Sequence, residues 1–139
     1  MAYQNILLAV DLSNDYNTLV EKANIITKAH NAQLNIISVI PNTIMLSGIL
    51  GSDKETELTE EYGLRMQNII DNLDVEVNNT KILHGSLKHD IINYINQYQV
   101  DLIILAHHHN NPINELLLGP TTESIFSSIP CDTIIIKNY

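Results

Sequence analysis

The sequence predicts an α/β protein of a single domain, a five-stranded parallel sheet with helices on both faces. Three observations carry that expectation. Short β-rich runs alternate with helix-length amphipathic segments, the pattern that buries a parallel sheet between two helical layers. Three of the short runs, "NILLAV" (5–10), "QLNIISV" (33–39) and "DLIILA" (101–106), are apolar along nearly their whole length, as strands covered on both faces should be. A chain of 139 residues suits one domain, long enough to bury about two-thirds of the surface its unfolded form exposes.

The strand at 5–10 leads to a helix in which Leu19, Val20, Ala23, Ile26 and Thr27 recur at three- and four-residue spacing, with Ser13 placed to cap its start. After the strand at 33–39 comes a long connection, "PNTIMLSGILGSDK" (41–54), carrying Ile44, Met45, Leu46, Ile49 and Leu50. An apolar connection of this length is a flap over a site, part of a subunit contact, or a segment packed on its own domain. The next helix shows the same apolar stripe in Leu58, Tyr62, Met66, Ile69, Ile70 and Leu73. "NTKILHG" (79–85) is the third strand. A helix follows from Ser86, the expected N-cap, to about Tyr98, burying Leu87, Ile91, Ile92 and Ile95. Beyond the strand at 101–106, a fourth helix is expected to begin near Gly119 and to end before Pro130, with Ile125, Phe126 and Ile129 inward. "DTIIIK" (132–137) closes the chain as the fifth strand.

The balance of 7 Lys+Arg against 16 Asp+Glu gives a formal charge of −9. The cations are scattered, with none between His89 and Ile136, so nothing gathers them against a phosphate backbone or an anionic membrane. Neither a nucleic-acid nor a membrane partner is expected. No apolar run approaches the roughly 20 residues of a membrane span. The run at 6–10, cut by Asp11, has neither the charged flank nor the length of a signal peptide. A lone Cys131 excludes an internal disulfide and no Cys/His zinc pattern exists, which points to a reducing, cytoplasmic setting. Cys131 itself, between Pro130 and an apolar strand, reads as a small buried hydrophobe.

In an open α/β sheet, ligands sit at the carboxyl ends of the strands where the strand order reverses. The segments that would meet there also carry a resemblance. "MAYQNILLAVDLS", "LVEKA", "AQLNIISV", "LHGSLKHDIINYINQYQVDLIILAHHH" and "SIPCDTIIIK", in this order and spacing, resemble the universal stress protein family across essentially the whole chain, its A-type members most closely. The resemblance implies one domain over residues 1–139, the adenine nucleotide alpha hydrolase-like fold, and a strand order of 3-2-1-4-5. Nucleotide-binding members carry a glycine after the fourth strand, two residues, a second glycine, nine residues, then a third glycine followed by Ser or Thr. Glycines let the backbone wrap phosphates closely, and the third opens a helix whose free N–H groups bind the anion.

Here those positions hold Ala106, His109, Gly119 and Pro120. His109 puts a bulky side chain where backbone should approach the phosphates, and Pro120 has neither N–H nor hydroxyl. No cation replaces them, and Glu115 adds a negative charge nearby. Each lost charge-assisted bond, at roughly 1.5 to 3 kcal/mol, weakens binding at least about tenfold. Thr121 and Thr122 offer hydroxyls that recover part of the loss. Asp11 and Val39 match the positions at which nucleotide-binding relatives contact ribose and base, although an aspartate after a strand also serves simply to hold a turn. The implied site, Asp11, Val39, Ala106, His109, Gly119, Thr121 and Thr122, is a degenerate nucleotide site. The expectation is a non-enzymatic stress-response protein with no cofactor; the alternative is a switch that binds ATP or AMP.

Neighbouring residues on an extended segment point to opposite faces, so His107, His108 and His109 do not converge on one tetrahedral zinc without an irregular turn. No acidic or cysteine partner stands at ligand spacing, and A-type relatives carry a Gly-His-His run here without being metalloproteins. No metal is expected. His84, Ser86 and His89 bring a hydroxyl near imidazoles, but neither a third residue nor an oxyanion loop can be named, so no catalytic residue is assigned.

The last strand lies at an edge in the implied order. Ile134, Ile135 and Ile136 flank its free N–H and C=O groups, with only Asp132 and Lys137 at the ends to discourage pairing. Relatives commonly run two such strands antiparallel about a two-fold axis, which implies a homodimer through the stretch that starts at Thr133 and ends at Lys137. The apolar run from Ile44 to Leu50 is the next candidate interface.

Overall fold

A computed structural model of the chain describes residues 2–12, 15–40, 52–84, 87–107 and 128–137. Its elements are β1 (Asn5–Val10), α1 (Asn17–His30), β2 (Gln33–Ile40), α2 (Ser52–Asn72), β3 (Val77–His84), α3 (Leu87–Tyr98), β4 (Leu102–His107) and β5 (Asp132–Lys137). The five strands form one sheet in the order β3-β2-β1-β4-β5, every neighbouring pair parallel. This is the predicted order. The expected fourth helix, Ser13, Ser86 and most of the apolar connection lie outside the described residues.

The sheet is buried on both faces because its strands carry apolar side chains at odd and even positions alike. Leu7, Ala9, Ile37, Leu83, Ile103 and Leu105 pack on one face against Ile91, Tyr94 and Ile95 of α3. Ile6, Leu8, Val10, Ile36, Leu102 and Ile104 pack on the other against Leu19 and Ala23 of α1 and Tyr62, Met66 and Ile69 of α2. Each fully buried Leu or Ile contributes roughly 1.5–3 kcal/mol relative to exposure, which makes these two layers the main source of stability. The predicted stripes of α1 and α2 hold; on α3, Ile91 and Ile95 are buried together with Tyr94, Ile92 is only partly covered, and the side chain of Leu87 lies outside the described residues.

Several boundaries differ from expectation. α1 begins at Asn17 with Tyr16 at the cap position and no side-chain cap bond; the Asn17 N–H donates instead to Asp15 Oδ1 at 3.0 Å. Ser13 is therefore too far upstream to be the cap. α2 already begins at Ser52, so the end of the expected 41–54 connection is helical. β3 starts at Val77, ahead of the predicted 79.

β4 runs one residue later than predicted because Asp101 has another task. Its carboxylate accepts the N–H groups of Gln4 (2.9 Å) and Asn5 (3.0 Å), while its own N–H donates to Asn5 O (2.9 Å). This ties the amino ends of β1 and β4 together. At the same edge the Tyr3 hydroxyl donates to Asp132 Oδ2 (2.8 Å), and the Tyr3 N–H donates to His30 Nδ1 (3.3 Å). The hydrogen bond to Asp132, with burial and the nearby acidic charges, pushes the Tyr3 phenol above its ordinary range.

α1 and α3 both end in left-handed residues that are not glycine, Asn31 (φ 50°) and Gln99 (φ 53°). After them the N–H groups of Ala32 and Val100 reach back to Thr27 O and Ile95 O, which closes the last turns. Inside the sheet, the wholly buried Asn35 donates to Ile6 O (3.4 Å) and accepts from Asn78 Nδ2 (3.2 Å). The β2–β3 register slips between Leu34 and Asn35, so Asn78 is the extra residue of a bulge whose side chain satisfies the buried amide.

Candidate functional site at the carboxyl edge

The strand order reverses between β1, which pairs with β2, and β4, which pairs with β1 on its other side. The crevice at such a reversal is where open α/β sheets take ligands. Val10 pairs with Ser38, so one step along the same register puts Asp11 level with Val39. On the far side Ala106 pairs with Ile136 and His107 with Lys137. The fold thus brings Asp11, Val39 and Ala106 to one edge. His109, Gly119, Thr121 and Thr122 lie outside the described residues, as do His108, Glu115 and Pro120.

Asp11 is 5 % exposed and Leu12 only 1 %, so the turn leaving β1 is sealed against the domain. Asp11 is engaged within the fold. Ala106 is 6 % exposed and its methyl belongs to the layer that packs against α1 and α2.

Arg65 of α2 is a residue that sequence reading missed. Its guanidinium donates to Leu12 O at 2.6 Å, pairs with Glu61 at 2.6 Å, and lies 5.9 Å over the Tyr62 ring. It braces the turn that carries Asp11. The i,i+4 spacing of Glu61 and Arg65 was a visible signal for the ion pair, but nothing local could announce the bond to Leu12, 53 residues away.

Other sequence candidates resolve in simpler ways. His89 is exposed on α3, and Ser86 and the side chain of His84 are outside the described residues. Among the described residues no group of three His, Cys, Asp or Glu side chains could hold a metal ion. Cys131 is half-buried against the α3 face of the sheet, and burial, with the charges of Asp132 and Asp101, pushes its thiol up to about 11. It is therefore a poor nucleophile at neutral pH. No helix among the described residues is long and apolar enough to cross a membrane.

Known proteins agree with this architecture. The family model described as "Universal stress protein family" matches residues 2–137. Universal stress protein A from Yersinia pestis is 32 % identical over 112 residues, 78 % of this chain and 76 % of that protein. Universal stress protein A homolog 2 from Coxiella burnetii is 30 % identical over 97 % of this chain and 95 % of its own. Among solved structures, universal stress protein UspA from Lactobacillus plantarum superposes with a TM-score of 0.66 at 28 % identity, covering 98 % of this chain and 99 % of that one. A universal stress protein in complex with cAMP shares the fold at a TM-score of 0.60 and 19 % identity, over 99 % and 98 % of the two chains. A sheet ordered β3-β2-β1-β4-β5, a sealed aspartate at its reversal point and a family match over nearly every residue lead to one conclusion: this chain belongs to the universal stress protein family.

Proposed function

We propose that the protein is a non-enzymatic, cytoplasmic stress-response regulator that acts as a homodimer and does not bind ATP tightly. The observation that carries the reading is the set of residues at the phosphate positions: Ala106, His109 and Pro120 stand where nucleotide-binding relatives have glycine, glycine and Ser or Thr. Ala106, at the end of β4 and 6 % exposed, carries a methyl at a position where the resemblance expects glycine. Of the described residues, Asp11 and Val39 keep the positions that the resemblance assigns to ribose and base, so the expected misfit rests on the phosphate positions, and no chemical step is assigned to a nucleotide. The position of β5 at the sheet edge, with Ile135 38 % exposed, supports pairing through residues 133–137.

The second reading, a switch governed by ATP, AMP or a related adenine nucleotide, is favoured by the cAMP complex of a protein with this fold. Calorimetry with ATP and Mg²⁺, beside mass spectrometry of the denatured protein, separates the two. The proposal expects no stoichiometric nucleotide and no tight binding. It also expects Ala106→Gly, His109→Gly and Pro120→Ser combined to raise ATP affinity by at least about tenfold. ATP near one per chain in the unmodified protein would establish the switch. For the assembly, sedimentation should give a dimer at tens of micromolar and Ile135→Pro a monomer or insoluble protein. An unmodified protein that sediments as a monomer rejects the dimer.

A further inference from the structure

We propose that β3, the outer strand opposite β5, is built to refuse a further strand, so that assembly through β5 stops at two copies instead of growing into a continuous sheet. The inference rests on the β5 pairing proposed above and supplies the reason that it closes. Among the described residues β3 has a sheet neighbour on one side only, β2, just as β5 has only β4. Two copies joined through β5 about a two-fold axis would use both β5 strands and end in a β3 at each side. A β3 that accepted a strand would let such pairs join end to end without limit.

The two outer strands differ in the features that decide this. β5 keeps unbroken register with β4 from Asp132 to Lys137, and its middle is Ile134, Ile135 and Ile136. β3 breaks register against β2: Val77 pairs with Leu34 and Asn79 with Asn35, so Asn78 is left over. A bulge twists its strand and interrupts the row of outward N–H and C=O groups that a partner would have to match. The bulge is also held in place. Asn78 Nδ2 donates at 3.2 Å to Oδ1 of the wholly buried Asn35, and flattening the strand would orphan that oxygen inside the sheet.

Past the bulge, the regular stretch 79–84 carries Lys81 near its middle with Thr80 beside it, both exposed. A strand added alongside would lie about 4.8 Å away and would have to cover the Lys81 side chain. A second β3 pairing antiparallel in the register centred on Lys81 would set two ammonium groups opposite each other, where like charges destabilise the pair. Bulges and lysines are the means by which exposed outer strands avoid pairing. β3 carries both within its length, whereas the charges of β5 stand only at its ends.

The test is sedimentation of the full chain from tens to hundreds of micromolar. The unmodified protein should reach one mass and hold it. Two variants open the strand: Thr80→Ile with Lys81→Val, which leaves the bulge, and Lys81→Val with Asn35→Val and Asn78 deleted, which removes the bulge without orphaning an amide. Both should grow with concentration to at least about twice the unmodified mass, while hydrogen exchange at the amides of 79–83 slows about tenfold or more. Should the second variant fail to fold, the first decides. Lys22→Val, an equal loss of charge on the exposed side of α1, should not grow. An unmodified protein whose mass climbs past the dimer, a Thr80→Ile, Lys81→Val protein that keeps the unmodified mass, or equal growth of Lys22→Val would each overturn the proposal. A monomeric unmodified protein would overturn the β5 pairing alone, and the opened variants would still decide whether β3 is guarded.

Discussion

Replacing Tyr94 with phenylalanine should stabilise the protein, and more so in alkali. Tyr94 is 2 % exposed, stacks on Tyr98 with ring centroids 4.4 Å apart, and holds its hydroxyl in the core without a hydrogen-bond partner. Asn79 stands close enough to favour the ionised phenol slightly, but it does not close a bond of acceptable geometry. Burying an unsatisfied hydroxyl costs about 1–3 kcal/mol, whereas Tyr94→Phe keeps the ring and its stacking. The expected gain at neutral pH is about 1 kcal/mol, or about 3–5 °C in melting temperature for a chain of this size. Burial also pushes the Tyr94 phenol up from 10 to about 12. A pKa raised in the folded state means that the neutral phenol's contribution is complete below pH 10 and is lost as pH rises through 12. At pH 11 the unfolded phenol is mostly ionised and the folded one mostly neutral, so the wild type should have lost about 1 kcal/mol that the variant keeps. Urea unfolding followed by circular dichroism at pH 7, 9 and 11 measures both effects, and the difference between the two proteins cancels every other titrating group. A variant destabilised at pH 7 would show that the hydroxyl makes a bond worth keeping. Parallel pH curves for the two proteins would show that its ionisation is not suppressed by the fold.

Asp101→Ala removes the acceptor of two backbone N–H groups; allowing for partial exposure, it should cost about 2 kcal/mol in urea unfolding, with Asp101→Asn retaining roughly half. A loss near zero would mean that water replaces the carboxylate at no cost. Cys131, with its thiol pushed up to about 11, should react with a disulfide reagent at pH 7.5 far more slowly in the native protein than in urea, and rates that match would contradict the burial assigned to it. Because that pKa is raised, its contribution to stability is whole below pH 9 and declines as pH climbs through 11, a loss that Cys131→Ala should abolish.

The sheet was legible because burial on both faces leaves a mark at every position. "NILLAV" became β1 residue for residue, and "DTIIIK" became β5. Boundaries were less legible where a polar residue serves a distant partner. Asp101 looked like the first residue of a strand until its carboxylate was seen to hold the backbone of Gln4 and Asn5. That exchange has no local pattern. The left-handed turns at Asn31 and Gln99 were silent for a related reason, since neither position carries the glycine that normally marks such a turn. At the candidate site, Asp11, Val39 and Ala106 could be placed by strand ends alone. Arg65 could not, because its bond to Leu12 depends on how α2 docks.

The two edges of the sheet are built differently, and the difference bears on function. At the amino edge Asp101 ties β4 to β1, Asn5 Nδ2 donates to Gln99 O, and the Tyr3 hydroxyl bonds Asp132 across 129 residues of sequence. These contacts fix the strands in register without help from the opposite end. At the carboxyl edge the described restraints are the sealed turn at Asp11 and Leu12 and its brace, Arg65. A sheet whose register is set at one edge tolerates change in the loops at the other, as folds that carry function on loops over a rigid scaffold do. Substituting the phosphate-loop glycines therefore need not cost the fold its stability. Ala106 is accommodated by the layer it packs into, and the residues that hold the domain together, Asp101 and Tyr3 among them, lie away from it. On the proposed reading, the chain gives up nucleotide contacts in this way and keeps its sheet.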